Sequence, residues 1–159
     1  MSPTLDRYFQ EYAESHQHPT NRLTHKVALP FIVFHTLVML DWCKLPGPVF
    51  ATLNGAPYGL SVGHVFFVAV ILWYATMSPK LAGIMALAFL PAFPIGAFIP
   101  KLGIVVIAIV AWTIQFAGHA IWEKRSPAFL QNLVQALIGP LFFVAVLTGD
   151  WKMPRQATA

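Results

Sequence analysis

Three polar residues recur every fourth position near the end of a long apolar stretch: Gln115, His119 and Glu123. On a helix, side chains four residues apart stack on one face, so these three point the same way. The stretch is apolar enough to predict a membrane helix, in which a His or a Glu is costly unless it has a partner. The spacing therefore predicts that further polar side chains meet this face.

The composition predicts a membrane protein. Hydrophobic residues make up 57% of the 159 residues and charged residues 10%, whereas soluble domains contain about 45–50% and about 25%. The Lys and Arg residues are scattered at the ends of apolar runs, without the basic, aromatic-interleaved cluster typical of nucleic-acid binding. The single cysteine excludes an internal disulfide. We therefore expect the lipid bilayer as a partner, and no nucleic acid.

The apolar stretches predict an all-α, polytopic membrane helical bundle that forms one integral-membrane domain over residues 1–159. The predicted spans are about 23–42, 58–77, 81–99, 102–122 and 129–147. Residues 3–15 predict an amphipathic helix that lies at the membrane interface, followed by a His-containing loop to residue 22. The Pro, Gly and Asn residues of 44–57 predict a loop, and residues 149–159 a polar tail.

Alternation of the spans across the membrane would bring distant residues to one face. We expect a kink or break at Pro91; if the third segment still crosses, the first span starts on the side where the fourth ends. His16 and His25 then approach His119 and Glu123. Three imidazoles and a carboxylate at one depth suit a divalent transition metal. Fe(II) with open positions and Zn(II) would both accept these ligands.

Each of these side chains also has a structural interpretation. A His in a membrane helix commonly forms packing hydrogen bonds, and we favour that interpretation for His35 and His64. His18 fits a solvated loop residue as well as a ligand. Glu123 could pair with a nearby cation or orient a ligand His. Three amide side chains could also form hydrogen bonds between helices: Gln115, Asn132 and Gln135.

Two motifs closely resemble the signature of the Mpo1-like family of small membrane proteins. The first is His16-Gln17-His18-Pro19-Thr20-Asn21-Arg22-Leu23-Thr24-His25, followed by Pro30. The second consists of Gln115-Phe116-Ala117-Gly118-His119, Glu123-Lys124-Arg125-Ser126-Pro127-Ala128 and Asn132-Leu133-Val134-Gln135. The resemblance extends from about Tyr8 to Phe143 and is specific in these two motifs.

The resemblance implies an Fe(II)-dependent dioxygenase. The expected reaction is α-oxidation of 2-hydroxy long-chain fatty acids to the acid one carbon shorter, with O2 and without 2-oxoglutarate. Because they match positions of the family motifs, His16, His25 and His119 are the expected iron ligands, with Glu123 as a fourth. His25, His119 and Glu123 are also the expected catalytic residues. The expected substrate-binding residues are Asn21, Arg22, Gln115, Lys124, Arg125, Asn132 and Gln135.

The expected location is the endoplasmic reticulum membrane in a eukaryote or the cytoplasmic membrane in a bacterium. Three other functions stay open. A di-iron hydroxylase or desaturase needs several clustered His boxes, whereas this chain has six His and no His-x-x-His-His. A haem protein could use His25 and His119 as its two axial ligands. A non-catalytic membrane scaffold or a small transporter would use the His and Glu side chains for packing or proton relay.

Overall fold

The structure is a computed structural model that describes residues 1–130 and 132–152, with Ala128 described by its backbone alone. From residue 153 onwards, the predicted tail lies outside the described residues. The elements in chain order are α1 (Pro3–Glu14), α2 (Pro19–Asp41), β1 (Lys44–Leu53), β2 (Ala56–Ser61), α3 (Val62–Met77), α4 (Pro79–Phe89), α5 (Ala92–Gly96), α6 (Lys101–Ala117) and α7 (Val134–Leu147). A π-helical turn, Gly118–Glu123, continues α6, and a 3₁₀ turn, Ala128–Leu130, precedes α7.

Three helices in the described part of the chain are long and apolar enough to cross a membrane: Pro19–Asp41, Pro79–Gly96 and Lys101–Glu123. The second comprises α4 and α5, with the predicted break at Leu90 and Pro91. Two further apolar helices, α3 and α7, have 16 and 14 residues, fewer than the roughly 17–25 that a span needs. The chain is thus mostly helical with three candidate spans, and five full spans are not confirmed.

Local sequence encodes the start of several helices. Proline begins α1, α2 and α4, where its fixed φ and missing N–H suit the first helical position. The residue before each of these prolines caps the helix with its side chain, which accepts a hydrogen bond from a backbone N–H. These caps are Ser2, His18 and Ser78. Pro3, Pro19 and Pro79 therefore mark the starts of helices.

The prediction of an all-α fold with a loop at residues 44–57 is wrong, because β1 and β2 pair as an antiparallel hairpin. Asn54 and Gly55 form its turn with φ angles of 49° and 76°, and positive φ at both positions matches the twist of hairpin strands. Pro46 and Pro48 fall between Lys44 and Val49, where the strand register is interrupted. Prolines are tolerated there because no regular ladder is broken.

Helix α1 packs against protein on its apolar face. Its prediction as an amphipathic helix is confirmed, but Leu5, Phe9 and Tyr12 are 0%, 0% and 4% exposed. The Phe9 ring lies 5.5 Å from that of Phe142 on α7 and 5.9 Å from that of Trp151. The apolar stripe is therefore covered by the bundle core, which leaves the polar face of the helix free to lie at the membrane interface.

A glycine allows α2 and α3 to pack closely. A Cβ at Gly63 would lie 2.8 Å from the Leu37 carbonyl oxygen and 2.9 Å from the Asp41 backbone nitrogen. Backbone atoms cannot rotate aside, so Gly63→Ala must push the two helices apart. We expect a loss of about 1–3 kcal/mol of folding free energy, measured by reversible unfolding in detergent.

Gly83→Ala is the matched control, because no atom lies within 4 Å of a Cβ built at Gly83 in α4. That variant should be as stable as the wild type or gain up to about 1 kcal/mol from helix propensity. Equal stability of the two variants would contradict the close-packing explanation.

Candidate metal centre

Three buried histidines from separate parts of the chain meet at one point. His16 follows α1, His25 lies on α2, and His119 lies in the π-helical turn; they are 2%, 0% and 2% exposed. The ligand nitrogens that these three residues offer all lie within 4.8 Å of one another. The structure thus brings together the three histidines that the sequence analysis selected.

Backbone carbonyls orient two of the rings. His16 Nδ1 lies 2.7 Å from the Tyr12 carbonyl oxygen, and His25 Nδ1 lies 2.8 Å from the Asn21 carbonyl oxygen. A carbonyl only accepts, so each Nδ1 carries the proton and each Nε2 keeps a lone pair. Metal-binding histidines are commonly held in this way, with the outer nitrogen donating to a carbonyl.

The inner nitrogens fit a metal ion. His25 Nε2 lies 3.0 Å from His119 Nε2, and two neighbouring ligands about 2.1 Å from one ion lie about 3 Å apart. His16 Nε2 is buried without a hydrogen-bond partner in the described part of the chain, and so is Nδ1, the other ring nitrogen of His119. The unpaired His16 Nε2 costs free energy unless a ligand satisfies it. The donor set therefore suits a divalent transition metal that prefers imidazole nitrogen.

Electrostatics keep His16 in the form that a metal requires. Burial, followed by the proximity of His25, holds the pKa of His16 well below its ordinary value. The ring is therefore neutral at neutral pH, with its Nε2 lone pair available. Burial has the opposite effect on Tyr12, whose pKa it raises. The Tyr12 ring stacks on His16 with centroids 3.9 Å apart.

Glu123 lies beside the histidines in a different role from theirs. Its Oε1 accepts hydrogen bonds from the His18 backbone N–H at 2.8 Å and from the Asn21 side chain at 3.1 Å. His18 is the N-cap of α2, where unpaired N–H groups and the helix dipole favour an anion. Because the Asn21 carbonyl orients His25, Glu123 also supports that ring. This geometry favours a positioning role over metal ligation.

A π-helical turn carries His119 and Glu123 to the first two turns of α2. The chain winds more slowly after Ala117 than an α-helix does, and Gln115 and His119 both line the cavity described below. The turn can approach α2 because Gly118 has no Cβ, which would collide with Thr24 Oγ1 and Asn21 Oδ1. That all three side chains share one face stays a prediction.

A mostly apolar cavity of about 260 Å³ extends from the histidines into the bundle. His16 and His119 line one part of it, and Leu37, Phe67 and Phe89 line another. Leu37 follows His25 by twelve residues of α2, or about 18 Å at 1.5 Å per residue. Four polar side chains also line the wall: Tyr12, Thr36, Gln115 and Gln135.

Comparisons with known proteins show the family to which the chain belongs. Residues 2–151 match the profile of a family described as "2-hydroxy-palmitic acid dioxygenase Mpo1-like". The chain belongs to the Mpo1-like family. It is similar to "2-hydroxy-palmitic acid dioxygenase MPO1" of Saccharomyces cerevisiae, with 31% identity over 134 residues that cover 84% of this chain and 72% of the relative. No solved structure matches. The family resemblance inferred from the two motifs is confirmed.

The predicted substrate-binding residues of this Mpo1-like chain divide into two groups. The buried amides, Asn21, Gln115 and Gln135, are 0%, 4% and 5% exposed. The other four line no part of the cavity: Arg22 is half-buried, and Lys124, Arg125 and Asn132 are exposed. The Asn132 side chain accepts a hydrogen bond from the Val134 N–H at the start of α7. The cations therefore lie outside the cavity, and the amides lie within or beside it.

The other three histidines have separate surroundings. His18 caps α2, because its Nδ1 accepts a hydrogen bond from the Thr20 N–H, and it is not among the three histidines that meet. His64 hydrogen-bonds Tyr58 and Ser61 at 3.0 and 2.7 Å, which links β2 to α3. His35 is buried, and neither ring nitrogen has a hydrogen-bond partner among the described residues. The predicted packing hydrogen bond is therefore wrong for His35.

Tyr12 is the residue of the site that sequence reasoning missed. Its apolar neighbours on α1 placed it in the hydrophobic stripe of an amphipathic helix. The available signal was its position one turn before His16, which makes its carbonyl the acceptor for His16 Nδ1 and its ring the stacking partner. A tyrosine combines an apolar body with a polar tip, so core and site roles coexist.

Replacing Glu123 by Gln separates positioning from ligation. Glu123→Gln keeps the size of the side chain and removes its charge at the N-terminus of α2. We expect a loss of about 1–2 kcal/mol of stability with the bound metal retained, measured by thermal unfolding and metal analysis. Glu14→Gln changes an exposed acid of α1 and is the control. Metal loss from Glu123→Gln without a change in stability would return Glu123 to the ligand set.

Proposed function

We propose that this chain is an Fe(II)-dependent dioxygenase of 2-hydroxy long-chain fatty acids. The observation that carries the proposal is the group of three buried histidines at an apolar cavity, in a chain that belongs to the Mpo1-like family. The name of the yeast relative supports both the reaction class and the 2-hydroxy acid. The acid one carbon shorter, CO2 and water balance the reaction with one O2.

His16, His25 and His119 are the proposed iron ligands. Three neutral imidazoles leave positions open on the metal, which is typical of non-haem iron sites that handle oxygen. When bound, Fe(II) supplies oxygen activation and an attachment point for the polar end of the substrate. Glu123 acts on the site through Asn21, which fixes the position of His25.

The cavity is proposed to hold the acyl chain. Its walls come from α1, α2, α3, α4, α6 and α7, and most of the lining side chains are apolar. Burial of each methylene contributes about 0.8 kcal/mol, so a long chain supplies much of the affinity. Because the histidines lie at one part of this cavity, the chain orients the polar end of the acid toward them.

The membrane and the cations outside the cavity fit the delivery of an anionic lipid. The three candidate spans support an integral membrane protein, and its proposed location is the endoplasmic reticulum membrane of a eukaryote or the cytoplasmic membrane of a bacterium. Arg22, Lys124 and Arg125 lie within the motifs that supply the histidines and form no ion pairs in the described part of the chain. We propose that they attract the carboxylate toward the cavity from outside.

The geometry disfavours a haem between His25 and His119. Axial ligands lie on opposite sides of the macrocycle, at about 2 Å each from iron and thus about 4 Å apart. The facing Nε2 atoms are 3.0 Å apart, and the ring planes are at 81°. A porphyrin would also need space between the two helices, which pack closely at Gly118.

Single alanine substitutions test the ligand set. His16→Ala, His25→Ala and His119→Ala should each lower iron affinity by at least about 10-fold and abolish oxygen uptake on addition of 2-hydroxypalmitic acid. His64→Ala is the control, since His64 bonds Tyr58 and Ser61 and does not line the cavity. Metal content is measured on protein purified without oxygen.

Different results would favour different functions. Full iron retention in all three variants would overturn the ligand assignment. Stoichiometric zinc without oxygen uptake would favour a hydrolytic or structural metal site, and the absence of any metal after reconstitution would favour the scaffold or transporter. A Soret band would favour haem.

Gln115 is proposed to recognise the 2-hydroxyl group. Its Oε1 is buried without a donor, one turn before His119, and a hydroxyl can supply that donor. Gln115→Leu should lower the preference for 2-hydroxypalmitic acid over palmitic acid by roughly 10-fold, measured by displacement of a fluorescent fatty acid. Gln10→Leu, on the exposed face of α1, is the control. An unchanged preference would remove Gln115 from hydroxyl recognition.

A further inference from the structure

The Tyr12 hydroxyl has no hydrogen-bond partner among the described residues, although the side chain is 4% exposed. The ring is fixed between His16 and Phe142, at centroid distances of 3.9 and 4.8 Å. Its hydroxyl lies against Gly139 of α7, and both residues line the cavity. The polar tip of Tyr12 is therefore held at the cavity wall, beside one of the proposed iron ligands.

An unpaired hydroxyl in an apolar site costs free energy unless a ligand supplies its hydrogen-bond partner. The phenol is protonated at neutral pH, because its ordinary pKa is about 10, so it can donate a hydrogen bond. A fatty acid carboxylate offers only acceptors, and no Lys or Arg side chain lines the cavity in the described part of the chain. A carboxylate that enters must therefore find neutral donors.

Among the neutral donors that line the cavity, Tyr12 is the one that stacks on a proposed iron ligand. Gln135 Nε2 already donates to Glu11 Oε2 at 3.2 Å, and the Gln135 Oε1 is an unpaired acceptor. Glu11 in turn lies 3.7 Å from the Arg7 guanidinium, which holds that cation outside the cavity. Gln115 Oε1 is also an unpaired acceptor, which suits a hydroxyl and repels a carboxylate.

We propose that Tyr12 is a substrate-binding residue whose hydroxyl donates a hydrogen bond to the carboxylate of the fatty acid. The inference rests on the proposed function, since it assumes a fatty acid in the cavity. A hydrogen bond to a charged acceptor is stronger than one between neutral groups. Because Tyr12 and His16 are one helical turn apart, the end of α1 supplies both a metal ligand and an anchor for the acid.

The test compares Tyr12→Phe with Tyr8→Phe in the full chain purified in detergent. Both variants remove one phenolic oxygen from α1, but Tyr8 is half-buried against Trp73 and does not line the cavity. The two probes are 2-hydroxypalmitic acid and hexadecane-1,2-diol, which share the hydroxylated chain and differ in the carboxylate. Binding is measured by calorimetry with and without added Fe(II), alongside metal content.

We expect Tyr12→Phe to weaken binding of the acid about 10- to 100-fold, with at most a few-fold change for the diol. Tyr8→Phe should match the wild type for both ligands, and all three proteins should bind the same amount of iron. The retained ring keeps the stacking on His16, so metal binding reports that the site is intact.

Two further measurements keep the test decisive if Tyr12→Phe does not fold. Gly139→Ala places a Cβ 2.9 Å from the Tyr12 hydroxyl, so it should also weaken acid binding more than diol binding. With 3-fluorotyrosine at position 12, the fluorine signal should shift on addition of the acid and not of the diol. The same label at position 8 should shift with neither.

Wild-type affinity for the acid in Tyr12→Phe would overturn this inference and leave the proposed function intact. Equal weakening of acid and diol would also overturn it, because the hydroxyl would then serve the chain or the 2-hydroxyl. A wild-type protein that binds no 2-hydroxy acid would overturn the proposed function itself.

Discussion

Three imidazole rings packed at one buried point set the requirement that the surrounding structure meets. Their centroids lie 4.5, 5.0 and 4.7 Å apart, and each ring brings two nitrogens that need partners. Carbonyls one helical turn earlier satisfy the outer nitrogens of His16 and His25. The remaining lone pairs face one another, and only a shared cation or a proton between rings can satisfy them. The groups that contact the outer nitrogens of the rings therefore fix the arrangement of the site.

Groups around the three rings also hold the two motifs together. The Glu123 carboxylate reaches the first turn of α2, where it accepts from His18 and Asn21. A negative charge is favourable there because the first N–H groups of a helix have no helical partners. Gly118 lets the two backbones approach closely enough for the bonds to form. A change to any of these residues would move His25 relative to His119 without removing a ligand.

The cavity and helix α1 connect the metal centre to its proposed lipid substrate. The apolar walls favour an acyl chain, whereas the Tyr12 side chain and the unpaired Gln115 Oε1 line the same cavity as His16 and His119. Helix α1 contributes through both of its parts: its apolar stripe covers α7, and its last turn presents Tyr12 ahead of His16. A segment that sequence pattern assigns to the membrane interface therefore also completes the cavity.

Some features of this protein follow from the sequence alone. Local chemistry determines the helix starts at Pro3, Pro19 and Pro79, and the two His motifs were sufficient to recognise the family and select three histidines that meet. These features depend on residue type and spacing, which a sequence displays directly.

Tertiary structure decided the rest. The partners of Glu123 depended on the close approach of the π-helical turn to α2, which brings its carboxylate to His18 and Asn21. The hairpin at Lys44–Ser61 was hidden because its prolines and glycines are equally typical of loops. The role of Tyr12 required knowing that α7 covers α1 while Gly139 leaves space at the hydroxyl. Each of these depends on contacts between residues far apart in the chain, which local propensities do not encode.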